Sequence, residues 1–404
     1  MTEHAAAHPK EDVRLIGFAT RATLAAALSW IEHHTAILAP ETIPIALATH
    51  RAPAVPVRSR IDRPDVDRAA RDGYAVLAAD TEAADAYTPL PLRLAEGGAW
   101  RQGNATLVAS GDAMPHGTDA VLPFEAATPQ DGALAVMVQA APGAGVRRRG
   151  SETPAGREIL AAGRRIRAGD TAFLAALGVT EVDVVQRPTV AVVVIGPKPG
   201  GPDLLGPALL ARIGRDGGTG ISMDRRGDLP TTLADAAAGA DLVIVVGRSG
   251  CGADDDAAPA LRAAGGTLAL HGMALLPGGS TGLGQLATAT VLLLPGDPPS
   301  CLAAYEMLAA QAVRRSGGMA EPACVAMVAL DRRIVSPIGV VELVFVRLAF
   351  VRLGDRRATP LAPDSLVALH ADGYVLVPET SEGFAAGSLV PVYPFDPGAW
   401  TTMP

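Results

Sequence analysis

Between residues 188 and 318, runs with hardly a polar side chain alternate with helix-like stretches, and this pattern restricts the fold more than anything else in the chain. Two of the runs are "TVAVVVIG" and "ADLVIVVG". A strand with one wet face alternates apolar and polar residues. A strand that is apolar throughout has both faces covered, which implies a mostly parallel sheet between layers of helix. Strands are expected at 189–195, 241–246, 267–271 and 290–294, and helices at 203–214, 229–238, 255–264 and 298–315. Ligands of such sheets lie beyond the carboxyl ends of the strands.

The 404 residues exceed one ordinary core, so further domains flank this unit. Residues 14–38 have an alanine-rich helical period. Residues 51–144 break into short β-type segments separated by Gly, Pro and Asp, which suggests a small β domain. "AGDTAFLAALGVTEVDVV" returns to a helix followed by a strand, and from about 320 the chain is β-type again. The formal net charge of −8, without a basic run, argues against nucleic acid as the main partner. The apolar runs fall far short of the roughly 20 residues of a membrane helix. The polar start "MTEHAAAHPKEDVR" reads as no signal peptide, so a cytoplasmic protein is expected. Cys251, Cys301 and Cys324 form neither a disulfide framework nor a zinc pattern.

Two loops fall at expected strand ends. In "VVGRSGCGADDD" (245–256), Gly247, Gly250 and Gly252 precede three adjacent aspartates. Bare backbone N–H groups suit a phosphate, and adjacent carboxylates suit a divalent cation. A tight turn before an acid-capped helix explains the same residues. The glycine spacing does not match the dinucleotide fingerprint. The second loop, "PGDPPS" (295–300), is a rigid turn in which Asp297 or Ser300 can cap the next helix. If the strands are neighbours, both loops converge on one crevice. "DVDRAARDGYAV" (65–76) sets Asp67 and Asp72 among arginines, where a solvated charge run is the commoner meaning.

In order, these segments resemble the molybdopterin molybdenumtransferase family (MoeA in bacteria, the gephyrin E domain in animals). The family's P-x-F-D-N-S-A-M-D-G-Y-A is similar to "PDVDRAARDGYA", and its T-G-A-x-x-P-x-G-A-D-A-V to "SGDAMPHGTDAV". Its R-x-x-G-E-D loop is similar to "RRRGSETPAG", its G-G-x-S-x-G-x-x-D to "GRSGCGADD", and its L-P-G-N-P-x-S to "LPGDPPS". The likeness covers nearly the whole chain and identifies a divergent member.

The resemblance implies a multidomain α/β and β protein. Residues 1–50 and 145–187 would form a helical and linker domain, 51–144 an inserted β domain, 188–318 a parallel-sheet α/β molybdopterin-binding domain, and 319–404 a C-terminal β-barrel domain. It implies a homodimer that inserts molybdate into adenylylated molybdopterin and releases AMP with Mg2+. Residue by residue, Asp67 and Asp255 would hold the metal and Asp72 would join them in catalysis. Ser110, Gly247, Ser249, Gly250, Gly252, Pro295, Gly296, Asp297 and Ser300 would bind the pterin substrate. A molybdoenzyme or another protein of the cofactor pathway is a conceivable partner. The departures fall on the same site. Ala69 and Arg71 replace a serine and a methionine, and "IGPKPGG" has lost the acid of T-G-D-E-L. The lysine-bearing K-P-G-K-P is "LPGGS" (276–280), and Lys10 and Lys198 are the chain's only lysines. These losses leave a second reading open, that of a non-catalytic relative that binds pterin or handles the cofactor.

Overall fold

The computed structural model describes residues 12–95, 101–130, 132–195, 203–224, 227–320, 326–352 and 355–395. Lys198 and Cys324 lie outside them. The four expected strands join two others in one six-stranded sheet in the order Thr219–Met223, Thr189–Val194, Leu242–Val246, Ala289–Leu294, Gly282–Leu286, Thr267–His271. Pairing is parallel across the first four strands and antiparallel across the last two junctions. Alternate side chains enter opposite cores, because successive residues of a strand point to opposite faces. Val190, Val192, Leu242, Ile244 and Val246 pack with Leu209, Ile213 and Tyr305 on one face. Ala191, Val193, Val243 and Val245 pack with Leu233, Ala236 and Leu261 on the other. Leu242–Val246 and Ala289–Leu294 are buried at every residue, which explains their unbroken hydrophobicity.

Two strands were not expected from the sequence. Thr219–Met223 is a largely exposed edge strand with no apolar run to mark it. Gly282–Leu286 contains two glycines, and a Cβ at Gly284 would stand 2.2 Å from the Thr267 carbonyl oxygen. Close packing of backbone on backbone made this strand; side-chain propensity did not. Two helix expectations also change. The 14–38 segment is helical over Leu24–His34, because the Thr23 side chain accepts the Ala26 N–H and starts the helix there. The 298–315 helix is divided by a π-helical turn, Tyr305–Ala309, between Pro298–Ala304 and Ala310–Ser316.

The segment ahead of the sheet supplies a second six-stranded sheet, from Gly73–Val76 to Ala133–Val136. Pro40–Pro44 pairs antiparallel with Glu181–Val185, so the chain on both sides of that β unit returns to one place. At the far end Val341–Arg352, Asp355–Pro360, Ala326–Leu330, Leu389–Pro394 and Gly373–Val377 pair in turn. The first and last of these strands also pair, closing a barrel. The barrel is stitched to the α/β unit where Leu275–Leu276 runs parallel to Val341 and Glu342. Among the described residues, no helix is long and apolar enough to cross a membrane.

Candidate functional site

Three loops meet at the carboxyl ends of the central strands. Gly247 follows Leu242–Val246, and Gly296 follows the neighbouring Ala289–Leu294. A Cβ on Gly296 would lie 3.1 Å from the Gly247 Cα, and one on Gly247 2.9 Å from the Ile195 carbonyl oxygen. Gly247 also has a φ of +95°, so glycine is required there twice over. The third loop, 276–281, touches both others. Ser280 Oγ and Ser249 Oγ are hydrogen-bonded at 3.2 Å, and a Cβ on Gly278 would lie 3.5 Å from the Ser300 carbonyl oxygen. Convergence of the two Gly/Asp loops, expected if their strands are neighbours, is therefore present, and it extends to "LPGGS".

Within this rim the aspartates divide their tasks. Asp255 does not cap a helix. Its Oδ2 turns back to accept the Gly252 N–H at 2.6 Å, and a Cβ on Gly250 would stand 2.7 Å from the same oxygen. Gly250 and Gly252 thus make room for a carboxylate of the chain itself. Asp256 occupies the N-cap position of Ala257–Ala263 without accepting an N–H, and pairs instead with Arg248 Nη1 at 3.1 Å. Asp297 does cap: it accepts the Ser300 N–H at 3.1 Å, with proline opening the Pro298–Ala304 helix. Burial pushes the Cys301 thiol up to about 12, which makes it a poor nucleophile.

Asp67, Asp72 and Ser110 form a separate group on the β unit. Asp72 Oδ1 accepts the Ser110 N–H, and Asp67 Oδ1 accepts the Arg149 N–H, each at 2.7 Å. All three are exposed; the Asp72–Ser110 bond stays within the β unit, whereas Asp67 binds Arg149 on the segment that leaves it. Gly73, next to Asp72, has a φ of +157°, and a Cβ there would stand 2.0 Å from the Leu122 carbonyl oxygen. Gly73→Ala is therefore expected to cost about 2–3 kcal/mol, read from urea unfolding. A loss under about 0.5 kcal/mol would show that the strand yields easily. An open pocket of about 320 Å3 lies nearby, lined by Arg71, Leu122, Glu125, Ala140 and Gly145 among others.

Among the described residues no group of three or more His, Cys, Asp or Glu side chains is assembled to hold a metal. Mg2+ needs no such cluster, since it is commonly held by one or two carboxylates with water and substrate phosphates completing the shell. Asp255 stands on the rim of the crevice loops with Oδ2 engaged by the Gly252 N–H. Sequence reasoning missed His271, Ser280 and Arg21. His271 ends an edge strand and hydrogen-bonds through Nε2 to the Ser249 carbonyl at 2.8 Å. Burial holds its pKa below the ordinary imidazole value despite that bond. No local motif marks Arg21 or His271; Ser280 ends the "LPGGS" turn, which stood out only for its missing lysines.

Residues 22–178 match the family model described as the MoeA N-terminal region (domain I and II), and residues 203–315 match the probable molybdopterin binding domain. "Molybdopterin molybdenumtransferase 2" of Mycobacterium tuberculosis is 30% identical over 310 residues, covering 70% of this chain and 76% of that protein. The molybdopterin molybdenumtransferase of Nostoc sp. is 29% identical over 306 residues, covering 70% of each. A crystal structure of the molybdopterin biosynthesis MoeA protein from Pyrococcus horikosii aligns with a TM-score of 0.78 at 29% identity, covering 93% of this chain and 100% of that one.

Proposed function

Because the chain belongs to the MoeA family of molybdopterin molybdenumtransferases, a family of molybdenum cofactor biosynthesis, we propose that it inserts molybdate into adenylylated molybdopterin and releases AMP. The observation that carries this reading is the meeting of the 247–256, 276–281 and 295–300 loops at the carboxyl ends of adjacent strands. Such a crevice accepts a phosphate-bearing ligand against backbone N–H groups. Mg2+ at Asp255 would polarise the phosphoanhydride being cleaved. The remaining work belongs to the protein. The hydrogen bond between the buried Ser249 hydroxyl and Ser280 ties two of the loops together, the capped turn at Asp297 fixes one wall, and the close approach of Gly247 and Gly296 keeps that wall close.

Asp67, Asp72 and Ser110 would act from the β unit of a second protomer, in a cytoplasmic homodimer whose crevice is completed across the subunit boundary. Their exposure on a face remote in sequence from the glycine loops supports that arrangement. The test is AMP release by the purified protein from adenylylated molybdopterin, with and without molybdate, together with sedimentation. Molybdate-dependent AMP and a dimer at micromolar concentration are expected. Pterin binding without AMP release would instead identify a cofactor-handling relative, the reading favoured by the lysine-free turn at 276–280.

A further inference from the structure

The crevice is rich in carboxylates, with Asp254, Asp255, Asp256 and Asp297 on its loops, and Arg248 is already paired with Asp256. An oxyanion ligand needs a cation that those groups do not neutralise. One stands at the 276–281 turn, carried by a different part of the chain. Residues 12–22 form a strap across the strand ends. The strap is held where Leu15 N–H donates to Cys251 O at 2.8 Å, and where Ala22 N–H donates to Gly272 O at 2.9 Å. The Arg21 guanidinium leaves this strap and lies against Gly279. A Cβ on Gly279 would be 2.5 Å from Arg21 Nη1. The guanidinium also lies 6.0 Å from the Phe18 ring centre, and Phe18 packs edge-on against His271, the residue that holds Ser249. Arg21 Nη1 reaches the Met273 carbonyl only at 3.5 Å, and among the described residues no carboxylate pairs with it.

We propose that Arg21 is the oxyanion-binding cation of this crevice, and that residue 279 is glycine to admit its guanidinium. The inference rests on the ligand class assigned under the proposed function, and it names the residue that receives that ligand's charge. A guanidinium keeps its proton at any working pH and offers a planar fork to tetrahedral oxyanions. Two sources of such an oxyanion enter this chemistry, molybdate and the nucleotide phosphate. The positions of "LPGGS" are uncharged because the charge reaches the same place from the strap.

The test titrates the full chain with molybdate and, separately, with AMP, followed by calorimetry. Arg21→Gln is expected to weaken one or both anions about 10- to 100-fold, the range of a lost hydrogen bond to a charged group. The anion affected identifies the source. Arg21→Lys should recover part of the loss, because charge returns without the fork. Gly279→Ala, whose backbone is not in the left-handed region, should mimic Arg21→Gln by displacing the side chain. The double variant should bind no worse than either single one. Equal affinity of wild type and Arg21→Gln for both anions would overturn the proposal, as would a wild type that binds neither. Arg21-dependent binding without AMP release would leave Arg21 standing and remove the proposed activity. AMP release unchanged in Arg21→Gln would do the reverse.

Discussion

Asp255→Asn is expected to lower molybdate-dependent AMP release at least about a hundredfold, while the melting temperature moves by no more than a few degrees. Asparagine keeps an oxygen at the position where Asp255 Oδ2 accepts the Gly252 N–H, so the loop retains its closing hydrogen bond. The charge is what disappears. A divalent cation depends on that charge directly, because a neutral amide is a far weaker ligand for Mg2+ than a carboxylate. Asp255→Ala separates the two roles. It removes the acceptor as well, leaves space beside Gly250 and Gly252, and should cost about 1 kcal/mol of stability in addition to activity. Near-normal turnover in Asp255→Asn with a destabilised Asp255→Ala would make Asp255 a loop-closing residue and remove it from the metal site.

This double role shows which parts of the site were legible in the sequence. The strands carrying the loops were read from hydrophobicity alone, because burial on both faces leaves an unbroken apolar run. That "GRSGCGADDD" and "PGDPPS" stand side by side was legible only as a condition, because it depends on Leu242–Val246 and Ala289–Leu294 being neighbours. Gly282–Leu286 was hidden because its residues were selected by backbone contact, which leaves glycine where a strand former would be expected. What the glycines of 250 and 252 face was equally hidden: the spacing suits a bound anion and a chain carboxylate alike. Arg21 and His271 escaped notice because they reach the crevice from separate segments, and Ser280 because its turn, "LPGGS", stood out only for its missing lysines. Their meeting depends on how the strap crosses the sheet and on the parallel stitch between Leu275–Leu276 and the barrel.

Glu306→Ala is expected to lower the unfolding free energy by about 3 kcal/mol or more, the scale for removing one partner of a buried ion pair. Glu306 lies in the π-helical turn and is only 3% exposed. Its Oε1 accepts from Arg212 Nε at 3.1 Å and its Oε2 from Arg215 Nη2 at 2.9 Å. Arg215 also donates to Asp216 Oδ2 at 2.7 Å and to the Phe395 carbonyl at 3.1 Å, while Tyr305 and Arg314 bind the same Asp216. Burial by itself would lower the Arg215 pKa; Glu306 and Asp216 instead raise it well above its ordinary value. Truncating Glu306 leaves that half-buried guanidinium with Asp216 as its remaining carboxylate partner, and it loosens the tie between Leu205–Arg215, the π turn and the segment after the barrel. Urea unfolding measures the loss. Glu306→Gln should fall between wild type and alanine, because it keeps an acceptor for one arginine but no charge for either. A loss below about 1 kcal/mol in Glu306→Ala would mean that water enters and solvates both arginines, and the network would then contribute little to stability.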